Sequence, residues 1–169
     1  MNISIRQITE HDPKTISDAF KEQGWDKPIT LYERYIGEQN NGERVTLIAE
    51  ADGRFAGYVN VIWKSYYPAF REESIPEVND FNVLLKYRRL GIGSKLMDRA
   101  EEIISERSSV AGIGVGVFSD YGNAQVLYVK RGYVPDGKGI HNGQYYVAYG
   151  ENVVINDDIV LYLTKNLKN

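Results

Sequence analysis

The sequence predicts a mixed α/β domain in which helices cover a sheet. Three observations carry that expectation. Several short segments alternate polar and apolar residues, as half-buried strands do. Residues 91–107 place Ile92, Leu96, Met97, Ala100, Ile103 and Ile104 at helical spacing. Asp52-Gly53, a strong short-range hairpin signal, sits between two strand-like runs.

The elements follow in order. Residues 2–8 alternate, with Ile3 and Ile5 on one face, and form a strand. Asp12 caps a helix that starts at Pro13 and runs to about Phe20. Thr30 caps a second helix, which carries Leu31, Tyr35 and Ile36 and ends near Asn40-Asn41-Gly42. Residues 45–50 and 55–63 are the hairpin strands. An aromatic loop with Tyr66, Tyr67, Pro68 and Phe70 follows, then Glu72 and Glu73. Residues 75–83 are a strand, 91–107 a helix, 113–118 a strand and 123–131 a short helix stopped by Gly132. Tyr133 begins a strand. Pro135-Asp136-Gly137 and Asn142-Gly143 are turns, and residues 158–164 are a last alternating strand. One domain over residues 1–169 is expected.

Composition narrows the function. The chain has 169 residues, 20 Lys plus Arg against 23 Asp plus Glu, and a net charge of −3. A chain this long buries roughly 68–70% of its unfolded surface, so it needs no disulfide or metal staple. There is no Cys, which excludes disulfides, thiolate metal sites and a cysteine nucleophile. Two His make a histidine-rich metal site a poor expectation, and none is assigned. Mild acidity argues against nucleic acid as partner. The N-terminus has no signal-like apolar region, and no run approaches a membrane span, so a soluble cytoplasmic protein without a membrane partner is expected.

The stretch from Asn82 to Lys95 is the most informative. A strand ends, a basic turn holds Lys86, Arg88 and Arg89, and a strong helix opens on Gly91-Ile92-Gly93. Helix N-termini carry unpaired N–H groups and partial positive charge, and Gly lets a ligand approach the backbone. Together these describe a phosphate cradle. It is not a P-loop, because no Gly-Lys-Ser/Thr follows. It is not the dinucleotide fingerprint, because Leu96 stands where a third Gly is required.

Arg88-x-x-Gly91-x-Gly93 resembles the pyrophosphate-binding loop of the GNAT N-acetyltransferases. Asn123, followed by Tyr128-x-x-x-Gly132-Tyr133, is similar to that family's downstream signature. The resemblance covers nearly the whole chain. It implies a GNAT-like mixed, mostly antiparallel central sheet of about six to seven strands flanked by four helices. It implies acetyl-CoA as co-substrate, held by Arg88, Arg89, Leu90, Gly91, Ile92, Gly93 and Ser94. Backbone groups of Val83 and Leu84 would contact the pantetheine arm, with Asn123 and Tyr128 as further contacts. Asn123 doubles as a candidate helix cap.

Acetyl transfer to an amine needs a proton acceptor for the amine and a donor for the departing thiolate. The resemblance makes Tyr128 the acid, and a phenol is protonated at neutral pH. It offers Glu77 as the base, with Asp80 as rival. Without a bulge, Glu77, Asn79, Phe81 and Val83 share one strand face, and a bulge would re-aim them. Gly112, Gly114 and Gly116 give the next strand a bare face, expected to take a helix or the cofactor arm. Residues 25–30 and 63–70, with Glu72, Glu73, Glu77 and Asp80, suggest an acidic, aromatic mouth for a small cationic amine. The alternatives are a non-catalytic acyl-CoA sensor on the same scaffold, or a protein N-terminal or lysine acetyltransferase. By analogy, a homodimer is compatible with an exposed C-terminal strand.

Overall fold

The computed structural model describes residues 1–168. Seven strands form one sheet in the order β1-β2-β3-β4-β5-β7-β6. They are β1 (Ile3–Gln7), β2 (Arg44–Ala51), β3 (Arg54–Ile62), β4 (Glu77–Val83), β5 (Val110–Gly116), β6 (Val134–His141) and β7 (Val160–Asn166). All pairings are antiparallel except β4 with β5. The helices are α1 (Pro13–Glu22), α2 (Ile29–Asn40), α3 (Pro68–Glu72), α4 (Ile92–Ser105) and α5 (Gly122–Lys130). No described helix is long and apolar enough to cross a membrane.

Sequence pattern explains the two faces. On one, Ile16 and Phe20 of α1 and Tyr32 and Tyr35 of α2 pack on Ile48 and Tyr58. On the other, Ile92, Leu96, Met97 and Ile104 of α4 pack on Val59, Val61, Val78, Ile113 and Val115. The period of α4 is thus the period of its buried stripe. Asp52 and Gly53 both have positive φ, as a two-residue hairpin with matched twist requires.

Several expectations are corrected. Five residues of the expected aromatic loop form α3, opened by Pro68 at the first helical position. Thr30 is not a cap; α2 already starts at Ile29, after Pro28. Asp12 stands at the N-cap of α1, but its carboxylate takes Arg6 and Thr9 instead of a helix N–H. Pro135-Asp136-Gly137 is no turn. It lies within β6, where Gly137 and Gly139 at positive φ accompany a break in register against β7.

Candidate active site

The site lies where the sheet opens. β4 and β5 share only two residue pairs, Glu77 with Gly112 and Val78 with Ile113. Each strand then follows its other neighbour, β4 as far as Val83 opposite Gly57, β5 as far as Gly116 opposite Val160. The facing edges part into a wedge whose backbone polar groups have no ladder partner across the gap. An extended ligand carrying amides can complete such an edge.

At one end of the wedge lies the glycine loop. A 3₁₀ turn, Leu85–Tyr87, leads into exposed Arg88, Arg89 and Leu90. Arg89 and Gly91 have φ of 62° and 83°. Gly91 is the N-cap of α4, and no side chain caps the helix. The first-turn N–H groups, including those of Ile92, Gly93 and Ser94, are therefore open to an anion. The Ile92 side chain is fully buried, so that residue offers only backbone. A Cβ on Gly93 would meet Phe81 Cζ at 3.1 Å, so its bare backbone lets Phe81 pack beneath the loop. Leu84 is less available than the resemblance implies. Its N–H donates to Ala56 and its carbonyl accepts from Tyr87. The Val83 carbonyl accepts from Arg88 Nε at 3.3 Å.

Tyr128 projects from α5 into the core, only 5% exposed, with its ring 6.5 Å from Phe81 and 6.1 Å from Tyr133. Burial, then the nearby Tyr121, pushes its phenol well above the usual range, and no protein hydrogen bond contributes. It is a protonated donor with nothing to donate to within the described residues. Asn123 is not the cap of α5. Tyr121 is, and Asn123 sits exposed in the first turn.

Glu77 is buried at the closed end of the wedge. Ser65 Oγ donates to its Oε2 at 2.5 Å, and Asn79 Nδ2 stands 3.5 Å from Oε1. Burial raises its pKa, partly offset by these two contacts. Asp80 lies elsewhere. Its backbone is left-handed, with φ of 44°. Its Oδ2 accepts from the hydroxyls of Tyr35 and Tyr58, both at 2.7 Å. Its Oδ1 accepts from Asn82 Nδ2 at 2.8 Å and faces Lys27 Nζ at 3.6 Å. The simple alternation is overturned by a bulge. Asn60 pairs with Asn79 and Tyr58 with Asn82, so Asp80 and Phe81 together oppose Val59. Phe81 and Val83 therefore turn to the α4 face, while Glu77 and Asn79 remain on the other.

The acceptor mouth also differs from expectation. Tyr67 and Phe70 are buried, and Tyr67 stacks on Tyr162 at 3.6 Å. These rings fill a satellite core rather than a wall. The bare face of β5 takes a helix at one end, through Phe70 of α3 against Gly112, and the Tyr121 ring at the other, against Gly116. A Cβ on Gly112 would meet Phe70 at 2.3 Å, and one on Gly116 would meet Tyr121 at 2.3 Å. The carboxylates near the opening are Asp80, Asp120 and Asp157. All three lie close enough to Tyr121 to raise its phenol, which burial and the Asp157 hydrogen bond push up to about 12.

A family model described as the acetyltransferase (GNAT) family matches residues 7–133. The chain belongs to the GNAT acetyltransferases. An uncharacterized N-acetyltransferase of Archaeoglobus fulgidus is 35% identical over 71 residues, 41% of this chain; the match spans about half, 48%, of that protein. Among solved structures, yncA of Salmonella typhimurium with its cofactor acetyl-CoA has a TM-score of 0.67 at 17% identity. It covers 98% of this chain and 94% of its own. A spermidine N-acetyltransferase chimera of Vibrio cholerae SpeG and hSSAT has a TM-score of 0.70 at 16% identity, covering 99% and 96%. At these identities the likeness is one of fold.

The GNAT signature led to Gly91, Gly93 and Tyr128. Lys27 and Ser65 fall within segments 25–30 and 63–70, expected at the acceptor mouth, whereas Tyr35, Tyr58 and Tyr121 reach the site from elements not assigned to it. No local pattern marks these three tyrosines, because each is joined to its partner only by the folded sheet.

Proposed function

We propose that the chain is a single acetyltransferase domain that moves an acetyl group from acetyl-CoA to a primary amine by direct attack in a ternary complex. The observation that carries this reading is Tyr128, a buried phenol without a protein hydrogen bond, packed on the bulged strand beside the wedge. The site fits the co-substrate. The wedge suits pantetheine, while the uncapped start of α4 and the exposed Arg88 and Arg89 suit its phosphates. Bound acetyl-CoA supplies an activated acetyl group and a thiolate leaving group.

The chain's own residues supply the proton chemistry. Alkylamines have pKa values of about 10.4, so a base must take a proton before attack at neutral pH. Glu77 is the proposed base. Its raised pKa makes it a better proton acceptor near neutrality than an exposed carboxylate. Tyr128 holds its proton for the departing sulfur. With no Cys to carry the acetyl group as a thioester, the amine attacks directly. The acceptor is proposed to be a small cationic amine. Asp120 and Asp157, beside Tyr121, supply the attracting charge.

The test is calorimetric titration with acetyl-CoA, followed by thiol-release assays over diamines, polyamines, amino sugars, amino acids and peptides. Binding with turnover on small cations supports the proposal. Turnover on peptides alone makes it a protein acetyltransferase. Binding without turnover makes it a sensor, and no binding at high micromolar acetyl-CoA refutes the co-substrate.

A further inference from the structure

We infer that Asp80 is a positioning residue, clasped by Tyr35 and Tyr58, that fixes the register of the wedge-facing half of β4. The inference rests on the acetyl-CoA reading for its functional consequence, though not for its structural one.

A left-handed residue at a bulge is ordinarily Gly, and Asp adopts that conformation less readily. Asp80 does so at φ of 44°. Such a conformation persists where surrounding structure over-determines it. Here the surroundings are explicit. Tyr58 comes from β3 and Tyr35 from α2, and both hydroxyls end on one carboxylate oxygen at 2.7 Å. Asn82, from the far side of the bulge, closes on the other oxygen at 2.8 Å. Tyr35 is itself backed by Arg44, whose guanidinium lies 4.1 Å from its ring centroid. Arg44 is in turn ion-paired to Glu38. The clasp therefore ties α2 and β3 to a single residue of β4.

That residue decides where its neighbours point. In a strand, a slip of one residue exchanges the faces of every side chain beyond it. With the bulge at Asp80, Phe81 turns to α4, beneath Gly93 and against Tyr128. Without it, regular alternation from Glu77 would carry Phe81 to the α1/α2 face. Phe81 would then leave both the glycine loop and the proposed acid. Asp80 thus acts on the site through Phe81 and through the wedge-facing backbone, with no need to accept the acceptor's proton. Its oxygens are already filled by three hydrogen bonds and an ion pair.

The experiment compares the wild type with Tyr35→Phe, Tyr35→Phe/Tyr58→Phe and Asp80→Asn. The readouts are amide hydrogen exchange in the free protein, calorimetric acetyl-CoA affinity, kcat and KM, and the pH–rate profile. The double variant should lose protection at the amides of residues 79–83, not at β7. It should weaken acetyl-CoA binding by about tenfold, the scale of hydrogen bonds to a charged acceptor. Tyr35→Phe should do the same to a smaller degree, and covers the case in which the double variant fails to fold. Asp80→Asn tolerates the left-handed backbone and can still accept from both tyrosines through its carbonyl. Its amide nitrogen accepts from neither Asn82 nor Lys27, so it should stay within about tenfold of wild type, the scale of one lost hydrogen bond and a part-exposed ion pair, and keep its acid limb. Unchanged exchange and affinity in both Tyr variants would overturn the inference. So would an Asp80→Asn enzyme that binds acetyl-CoA normally and has lost turnover, since Asp80 would then be the base. If wild type itself fails to bind acetyl-CoA, the functional reading falls, while exchange in the free protein still decides the clasp.

Discussion

Replacing Tyr128 by Phe tests the proposed chemistry most directly, because the structure separates its effects. The hydroxyl has no protein partner among the described residues, so its removal leaves no orphaned donor or acceptor there. The ring keeps its contacts with Phe81 and Tyr133. Stability should therefore change by no more than about 0.5 kcal/mol, or about 1–2 °C in melting temperature for a chain of this size. The kinetic loss should be large. A positioned acid contributes about 10²–10⁴ in rate, or about 3–5 kcal/mol of barrier. The assay is steady-state release of CoA thiol near neutral pH, with acetyl-CoA affinity measured by calorimetry alongside. The expected result is a kcat reduced by about two to four decades with affinity preserved. Because burial holds the phenol protonated above its ordinary range, wild type should show no alkaline loss of rate from this group near pH 10. Tyr162→Phe is the control. That hydroxyl also has no hydrogen-bond partner among the described residues and lies beside Glu77 on the other side of the sheet, and its loss should change kcat little. A Tyr128→Phe enzyme with full turnover removes the acid from the mechanism.

Glu77→Gln should remove the acid limb of the pH–rate profile and raise stability at neutral pH. The folded pKa of Glu77 is raised, so its stabilising contribution is complete at low pH and is lost as pH rises through the folded value. Melting temperatures of the variant and wild type should converge near pH 4 and separate, with the variant higher, towards about pH 8; equal melting curves throughout would contradict the raised pKa. Arg88 lies 5.7 Å over the Trp25 ring, so an anion drawing Arg88 away should shift Trp25 fluorescence. Titration with CoA in a Trp63→Phe background measures this, and unchanged emission on saturation would place the phosphates elsewhere. Gly112→Ala should destabilise by about 1–3 kcal/mol, because the new methyl would lie 2.3 Å from Phe70; a melting temperature equal to wild type would show that α3 yields freely.

What was legible in the sequence was local. Periodicity gave α4 and its buried stripe, and Asp52-Gly53 gave the hairpin between β2 and β3. The spacing of Arg88, Gly91 and Gly93 gave the helix opening that has no side-chain cap. What was not legible depends on contacts distant in sequence. Tyr67 and Phe70 read as exposed wall residues because an aromatic run next to Pro68 looks like a loop. They are buried because Gly112 leaves room for Phe70 and Tyr162 stacks on Tyr67. Asp80 stands as the rival base because a bulge in this strand would re-aim its side chains, and the sequence does not say where such a bulge falls. The folded sheet distinguishes the two carboxylates. Glu77 keeps one hydroxyl partner in a buried site, whereas Asp80 is filled by Tyr35, Tyr58, Asn82 and Lys27. The bulge itself has no sequence mark, since the residue in left-handed conformation is Asp and not Gly.

The opening of the sheet sets a mechanical problem that the position of α4 answers. Two residue pairs are a weak seam between a β1–β4 half and a β5–β7–β6 half. Unpaired backbone edges inside a sheet are costly unless water or a ligand satisfies them. The seam is therefore stable only if something else spans it, and α4 does so by touching β1 through β5. Its Leu96 and Met97 belong to one buried cluster with Val59 and Val61 of one half and Ile113 and Val115 of the other. The helix that must bridge the gap necessarily starts near where β4 ends, and its uncapped N-terminus then lies at the end of the wedge. Anion binding and sheet closure are thus consequences of one helix placement. A ligand that filled the wedge would satisfy the open edges and join the two halves. At a free concentration one hundred times its Kd, acetyl-CoA should stabilise the fold by about 2.7 kcal/mol. That gain should appear as slowed amide exchange on both β4 and β5. Protection confined to the glycine loop would mean that the phosphates bind without the arm entering the sheet.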